Sequence, residues 1–270
     1  MVWQIFTLPA TGHYRPMTTL LAFYQNIGPA LSLLVVLTFL LAGAVKGVIG
    51  LGLPTIAMGL LGLAMPPAQA AAMLIVPSTL TNLWQLASGG HLQALLVRLG
   101  PMLAFIFIGT LLGSVWLGIN SGPWAVHALG AALLVYAVYG LIGPGLQVAA
   151  AHERWLGPVC GLVTGVVTAA TGVFVIPAVP YLQSLGLGRE QLIQALGLSF
   201  TVSTLALAVG LAGQDALGGQ ALGASLLMLA PALLGMLVGQ WLRQRISARV
   251  FKRCFFIGLA ALGGHLLING

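Results

Sequence analysis

The sequence predicts an all-α, polytopic membrane protein of about eight spans in two inverted repeats, each with a broken or re-entrant helix. The 270 residues are 59% apolar and 5% charged, with a mean hydropathy of +1.06, whereas about a quarter of the residues of a soluble domain are charged. Apolar stretches of about twenty residues recur along the chain, and each is long enough to cross a ~30 Å hydrocarbon layer as a helix. Two of them are longer and are interrupted by glycine and proline.

Eight apolar segments follow one another along the chain, near 28–64, 67–88, 94–119, 123–143, 154–186, 190–213, 219–243 and 250–269. The first contains GVIGLGLP and the fifth GVVTAATGVFVIP, and both exceed a single crossing. Broken backbone inside a bilayer is tolerated only where protein or a water-filled cavity satisfies its peptide groups. We therefore expect each long segment to form two half-helices that meet at a break.

Residues 1–27 precede the first predicted span. The only early cation, Arg15, follows the short apolar run, and Pro9 interrupts that run. A cleavable signal peptide has its positive charge before the apolar run. We expect no such peptide, and the segment is a candidate for an interfacial helix.

A shift of about 122 positions superposes the two halves of the chain. It pairs AGAVKGVIGL with TGVVTAATGV, so that Gly43 matches Gly165 and Gly50 matches Gly172, and it pairs VPSTLTN with LSFTVST. Further on, GTLLGSVW resembles GMLVGQWL, and both have the small-xxx-small spacing that lets helices approach closely in lipid. The sequence predicts a first transmembrane repeat at 28–143 and a second at 144–270.

Basic residues predict how the repeats are oriented, because they favour the cytoplasmic ends of spans. The formal charge is +7, and five of the ten basic residues crowd one short loop: Arg243, Arg245, Arg249, Lys252 and Arg253. That pattern indicates a loop beside acidic lipid and not a nucleic-acid groove. Counting from this loop places 88–98, 143–153 and 189 inside and 64–67 and 214–219 outside, so corresponding spans run in opposite directions and the repeats are inverted.

Lys46 is the residue that most needs explaining. It lies in an apolar run beside the first break, and no Asp, Glu, Lys or Arg occurs between Arg15 and Lys46 or between Lys46 and Arg98. A buried ammonium costs several kcal/mol unless a partner compensates, so an intramembrane lysine indicates a functional site. A bound anion would supply the partner, aided by the N-termini of half-helices beginning near Gly50 and Gly172. The alternative is that Lys46 reaches a lipid headgroup at the membrane surface.

The predicted substrate site combines the two breaks with neutral polar residues that follow them. Paired broken segments in inverted repeats are the best sequence indication of a transporter's binding site. Thr168 matches Lys46 in the repeat alignment, so one wall would be charged and the other neutral. The residues that would shape the site are Lys46, Gly50, Gly52, Pro54, Gly172 and Pro177, and those that would line it are Thr79, Asn82, Thr168, Thr201 and Ser203. Each polar residue could instead serve only helix packing.

Other chemistry has little support in the sequence. Cys160 and Cys254 match no metal or CxxC spacing, the three acids fall near span ends, and no phosphate-binding loop or zinc motif occurs. We expect no cofactor and no metal. His127 and His265, the two histidines inside predicted spans, could carry a coupled proton, although packing is the simpler role for each.

The chain resembles the sulfite exporter TauE/SafE family, also called the toluene sulfonate uptake permease family. The resemblance rests on GVIGLGLPTIAMGLLGL and PPAQAAAMLIVPSTLTN in the first half and on GLVTGVVTAATGVFVIPAVPYLQSLGLGREQLIQALGLSFTVST in the second. It implies a carrier of roughly eight spans that moves sulfur oxoanions across the inner membrane. Leu51 and Leu53 around Gly52, and VFV after Gly172, depart from the family's usual pattern and leave the substrate open.

The sequence therefore predicts a secondary transporter of a small anion in the bacterial inner membrane. The resemblance points to sulfite, thiosulfate or a sulfonate as the anion. Two further classes stay open: a membrane-embedded enzyme or assembly factor acting on a thiol or a lipid, and an anion channel. The predicted partners are the anion, the lipid bilayer and, as an option, coupled protons, with no nucleic acid.

Overall fold

A computed structural model describes residues 16–87, 89–117, 124–143 and 145–270. Within these ranges the chain forms eleven helices and no strand. The helices are α1 Pro16–Ile49, α2 Leu53–Leu61, α3 Pro67–Ala87, α4 Leu92–Leu117, α5 Trp124–Ile142, α6 Ala150–Thr171, α7 Ala178–Ser184, α8 Arg189–Ala212, α9 Gly219–Leu227, α10 Leu229–Arg243 and α11 Ala248–Asn269. The all-α prediction is confirmed.

Six stretches of the described chain are long and apolar enough to cross a membrane, with α9 and α10 counted together. The others are in α1, α4, α5, α8 and α11. Helices α3 and α6, with 21 and 22 residues, have the length of a span, and they carry the polar runs that flank the breaks. The described architecture is therefore compatible with the eight predicted segments and identifies six of them by hydropathy.

Both predicted breaks are present. Helix α1 ends at Ile49 and α2 begins at Leu53, while α6 ends at Thr171 and α7 begins at Ala178. Gly50 and Gly172 adopt φ angles of 78° and 70°, in the left-handed region that favours glycine. The Gly50 N–H donates to Lys46 O over 2.8 Å, and the Gly172 N–H donates to Thr168 O over 2.8 Å. The backbone thus has the same geometry at two positions 122 residues apart.

The helices pack in a reciprocal arrangement across the repeats. Helix α1 contacts α10 and α4 contacts α6, each through glycines. A Cβ on Gly43 would lie 2.1 Å from the Ala232 carbonyl oxygen, and one on Gly165 would lie 2.4 Å from the Ile106 carbonyl oxygen. Gly43 and Gly165 are equivalent positions, and so are Ile106 and Ala232 in the GTLLG and GMLVG alignment. The first helix of each repeat therefore packs on the third apolar segment of the other.

Two further helix pairs join equivalent elements directly. Helices α3 and α8 are antiparallel, because Asn82 contacts Thr204 whereas Gln194, earlier in α8, contacts the carbonyl of Leu86, later in α3. Helices α5 and α11 meet through Gly130 and Gly263, where each Cβ would lie 2.8 Å from the other's carbonyl oxygen. A two-fold axis that relates antiparallel helices is perpendicular to them, which is the relation between inverted repeats in a membrane.

The N-terminal segment is described from Pro16 onward, so most of the predicted interfacial segment 1–27 lies outside the described residues. Helix α1 has a non-helical residue at Gly28, with φ 79° and ψ 166°, immediately before Pro29. The Tyr24 hydroxyl donates to Ala224 O over 2.8 Å, so the chain before the bend packs on α9. The interfacial position and the repeat boundaries at 28–143 and 144–270 stay predictions.

The loops predicted to share one side of the membrane lie together. Arg98 pairs with Glu153 at 2.6 Å and also donates to Leu185 O over 3.2 Å, which joins three of these loop regions. On the other predicted side, the Gln214 amide donates to Ser114 O over 2.7 Å. The face that carries Arg98, Glu153 and the 243–253 loop is called the basic face below.

Candidate functional site

Lys46 lies in the last turn of α1, immediately before the first break, and is only 5% exposed. Its ammonium donates to Thr81 Oγ1 over 3.0 Å and also donates to Asn82 Oδ1. Both acceptors belong to α3, which crosses the break. The amine is therefore held inside the helix bundle by neutral oxygens.

The charge of Lys46 is not neutralised by the described protein. The one ion pair among the described residues joins Arg98 and Glu153, so no described carboxylate lies within 4.0 Å of the lysine amine. Hydrogen bonds to a charged group contribute about 1.5–3 kcal/mol each, and the C-terminal end of α1 also favours a cation. These terms offset part of the desolvation cost of a protonated amine, and no described carboxylate contributes to offsetting the rest.

Asn82 connects Lys46 to the axis that relates the repeats. Its side-chain amide donates to Thr204 Oγ1 over 3.3 Å, and the two residues are equivalent at the 122-residue offset. Equivalent residues touch only where the pseudo-two-fold axis passes between them. Lys46 is thus hydrogen-bonded to a residue that lies beside that axis.

The second repeat lacks the lysine and its hydrogen bonds. Thr168, the equivalent of Lys46, donates to Thr164 O within its own helix over 2.7 Å. Ser203, the equivalent of Thr81, is fully buried, and its Oγ has no hydrogen-bond partner in the described part of the chain. An unpartnered buried hydroxyl is costly unless a ligand or water satisfies it. The site therefore has a charged side in the first repeat and an unsatisfied neutral side in the second.

The second break packs on α2, the half-helix that follows the first break. A Cβ on Gly172 would lie 2.7 Å from Cε of Met58, so the second break packs on the first half-helix. The Gln85 amide donates to Gly50 O over 2.9 Å, which ties the first break to α3. Lys46, Gly50 and Asn82 are thus connected through α3, and Gly172 packs on α2. That these residues form one substrate site stays a prediction.

The start of α2 contributes free polar groups to the first break. Gly52, with φ 105°, precedes the helix, no side chain caps it, and Pro54 occupies its first turn. Thr55 is fully buried, and its Oγ1 has no partner among the described residues. The second half-helix differs: α7 begins at Ala178, directly after Pro177, and has only seven residues. Helix-terminal stabilisation of an anion is therefore available at the first break, whereas the sequence anticipated it at both.

Thr79 and Thr201 lie apart from the Lys46 hydrogen bonds. Each donates to the carbonyl four residues earlier, Thr79 to Ile75 O and Thr201 to Gly197 O, both over 2.7 Å. The polar residues nearest the first break are instead Thr81, which accepts from Lys46, Gln85, which donates to Gly50 O, and Thr55, in the first turn of α2. The sequence marked the polar run of α3, and only helix packing decides which of its faces meets α1. Further unpartnered buried hydroxyls in the described chain belong to Thr38, Ser78 and Ser199.

The titratable side chains that the sequence singled out elsewhere make no hydrogen bond with this region. His127 is exposed, and His265, also exposed, lies 3.3 Å from the Asn269 amide. Cys160 is half-buried and Cys254 is exposed, both as free thiols. No group of three metal-ligating side chains occurs among the residues described.

A cavity of about 410 Å³ lies on the basic-face side of the first break. Its inner wall includes Val48, Ile49 and Leu51, which flank Gly50. Its outer wall is formed by the ends of α5, α7 and α10 and the beginnings of α8 and α11. The cavity therefore extends from the loops of the basic face to the backbone break that follows Lys46.

Comparison with known families identifies the class of the protein. The family model described as sulfite exporter TauE/SafE matches residues 35–266, which include both breaks and all helices from α2 to α10. The chain belongs to this family, and it is a multi-pass membrane protein of a family of membrane transporters. No curated protein sequence and no solved structure matches the chain.

Proposed function

We propose that the protein is a secondary transporter of a small sulfur oxoanion, such as sulfite, thiosulfate or a sulfonate, in the bacterial inner membrane. The anion binds between Lys46 and the second break. The observation that carries the proposal is the buried, uncompensated ammonium of Lys46 one hydrogen bond from the pseudo-two-fold axis. Family membership supports the choice of sulfur oxoanions.

Lys46 supplies the charge that selects an anion. The bound oxoanion accepts the hydrogen of the ammonium that Thr81 and Asn82 leave free and accepts further hydrogen bonds from Ser203 and Thr55. Because only one full charge faces the anion, the attraction is strong enough to repay dehydration and weak enough to permit release. On the opposite wall, Thr168 has a short, neutral side chain, which leaves space for the bound anion.

Alternating access follows from the reciprocal packing. The first helix of each repeat packs on the third apolar segment of the other through close glycine contacts, so α1 with α10 and α4 with α6 can move as two rigid units. The cavity on the basic face corresponds to an inward-facing conformation, since basic loops favour the cytoplasm. The anion's own gradient or coupled protons would drive the cycle.

The test is uptake of labelled sulfite, thiosulfate and methanesulfonate by purified protein in liposomes. Lys46→Met keeps the length of the apolar stem and removes the charge, and we expect it to lower uptake to the level of empty liposomes. Thr79→Val is the matched control, because its hydroxyl is bonded within its own helix. Normal transport by a correctly folded Lys46→Met would contradict the proposed site.

The same liposomes separate a carrier from the other two classes. A carrier accelerates labelled uptake when unlabelled anion is present inside, whereas a channel shows no such counterflow. An enzyme or assembly factor acting on a thiol or a lipid would show no anion flux at all. The family supports the carrier.

A further inference from the structure

The outer wall of the cavity on the basic face carries three cations: Arg189, Arg243 and Lys252. They come from the first residue of α8, the last residue of α10 and the second turn of α11. No Asp or Glu lines the cavity, and none of the three forms an ion pair among the described residues. Lys252 Nζ is 5.7 Å from the centre of the Phe256 ring. Three positive charges thus face one space without a protein counter-charge.

Neutral polar groups complete the lining. Gln183 and Tyr139 lie on the wall with the cations, and Ser184, whose hydroxyl donates to Tyr181 O over 2.6 Å, is part of the same wall. The guanidinium groups of Arg189 and Arg243 have the planar set of donors that suits oxoanions. This composition differs from that of the Lys46 region, which has a single charge.

We infer that this cavity is a second oxoanion site, at which the transported anion docks on the basic face before or after it passes the break. The inference rests on the proposed function. Like charges in a cleft with low-dielectric walls raise the local concentration of counter-ions and the rate of their capture. The inner wall at Ile49 and Leu51 then connects the docked anion to the break beside Lys46. A lipid phosphate has the same chemistry, so the experiment has to separate the two sources.

The experiment compares neighbouring cations on one helix. Both side chains are exposed, but Lys252 lines the cavity and Arg253 does not. Lys252→Gln and Arg253→Gln change the net charge equally. Each variant is reconstituted in phosphatidylcholine liposomes, with and without phosphatidylglycerol, and labelled sulfite uptake is measured from the basic face. We expect Lys252→Gln to raise the KM for sulfite about three- to tenfold with little change in Vmax. Lys252→Arg and Arg253→Gln should keep the wild-type KM.

The dependence of KM on ionic strength is a second measurement, and a purely structural role of Lys252 would not change it. Screening should raise the wild-type KM between low and high ionic strength and should affect Lys252→Gln less. Equal effects of Lys252→Gln and Arg253→Gln would overturn the docking site in favour of general surface charge. An effect confined to liposomes with phosphatidylglycerol would overturn it in favour of a bound lipid. Wild-type protein that carries no sulfite, thiosulfate or methanesulfonate would instead overturn the proposed function itself.

Discussion

The side-chain amide of Asn82 donates a hydrogen bond to the hydroxyl of Thr204, its own counterpart in the second repeat, over 3.3 Å. The same Asn82 accepts a hydrogen bond from Lys46. The one buried lysine of the described chain is thereby attached to the symmetry centre of the fold, although the lysine itself has no counterpart. The asymmetry of the site is concentrated in the pair of Lys46 and Thr168.

Replacing Asn82 with aspartate tests whether Lys46 is reserved for an external anion. Asn82→Asp places a carboxylate at the amide that accepts from Lys46, so the ammonium gains an internal counter-charge. We expect the variant to fold and to lose most anion uptake, because a substrate would have to displace a buried ion pair. Asn82→Ser, which adds no charge, should retain more uptake. Uptake by Asn82→Asp equal to that of the wild type would contradict this role of Lys46.

The repeats and the breaks could be predicted from the sequence because their signals are local. A glycine at a left-handed position, such as Gly50 or Gly172, is constrained by its own backbone angle. The length of an apolar run is likewise fixed by the thickness of the membrane. Such signals can be recognised without knowledge of tertiary contacts. The observed helix bounds lie within a few residues of the predicted segments, except that α1 begins at Pro16, before the predicted start at 28.

The partners of Lys46 and the basic cavity could not be predicted in the same way. The polar run of α3 offers several hydroxyls. The Thr81 hydroxyl, and not that of Thr79, accepts the hydrogen bond from Lys46, because the orientation of α3 about its own axis decides which face meets α1. Arg189, Arg243 and Lys252 are distant in sequence, and only the packing of α8, α10 and α11 brings them to one cavity. The short length of α7 could not be predicted either: residues 173–177 are not helical, so α7 begins only at Ala178.

Exchanging the charged and neutral walls tests the pseudo-symmetry directly. Lys46→Thr should abolish uptake. Adding Thr168→Lys should restore part of it, because position 168 is equivalent to position 46, and its repeat carries Ser203, the equivalent of Thr81. Uptake of labelled sulfite by the single and double variants is the measurement. Thr164→Lys in the Lys46→Thr background is the control, since it adds the charge one turn away. Equal recovery by both double variants would contradict a specific equivalence of positions 46 and 168.

The close glycine contacts between the repeats should be essential for stability. A Cβ at Gly43 would lie 2.1 Å from the Ala232 carbonyl oxygen, so Gly43→Ala must separate α1 from α10. Overpacking of this kind costs about 1–3 kcal/mol, and we expect a lower Tm in detergent. Gly258→Ala is the matched control, because no atom outside the neighbouring helix backbone lies within 4 Å of the added methyl group, and alanine favours the helix. A Tm of Gly43→Ala at or above that of the wild type would contradict the packing.

The side of the membrane occupied by the basic face can be determined by cysteine labelling. In a variant with Cys160→Ser and Cys254→Ser, single cysteines replace Arg249 at the basic face or Asp215 at the opposite one. Because basic loops favour the cytoplasm, a membrane-impermeant maleimide should label Asp215→Cys in intact cells and Arg249→Cys only in inverted vesicles. The reverse pattern would place the cavity outside.

The variant without cysteines, Cys160→Ser with Cys254→Ser, should keep full anion uptake, since neither thiol takes part in the hydrogen bonds of Lys46. Loss of uptake in that variant would favour a role for a thiol.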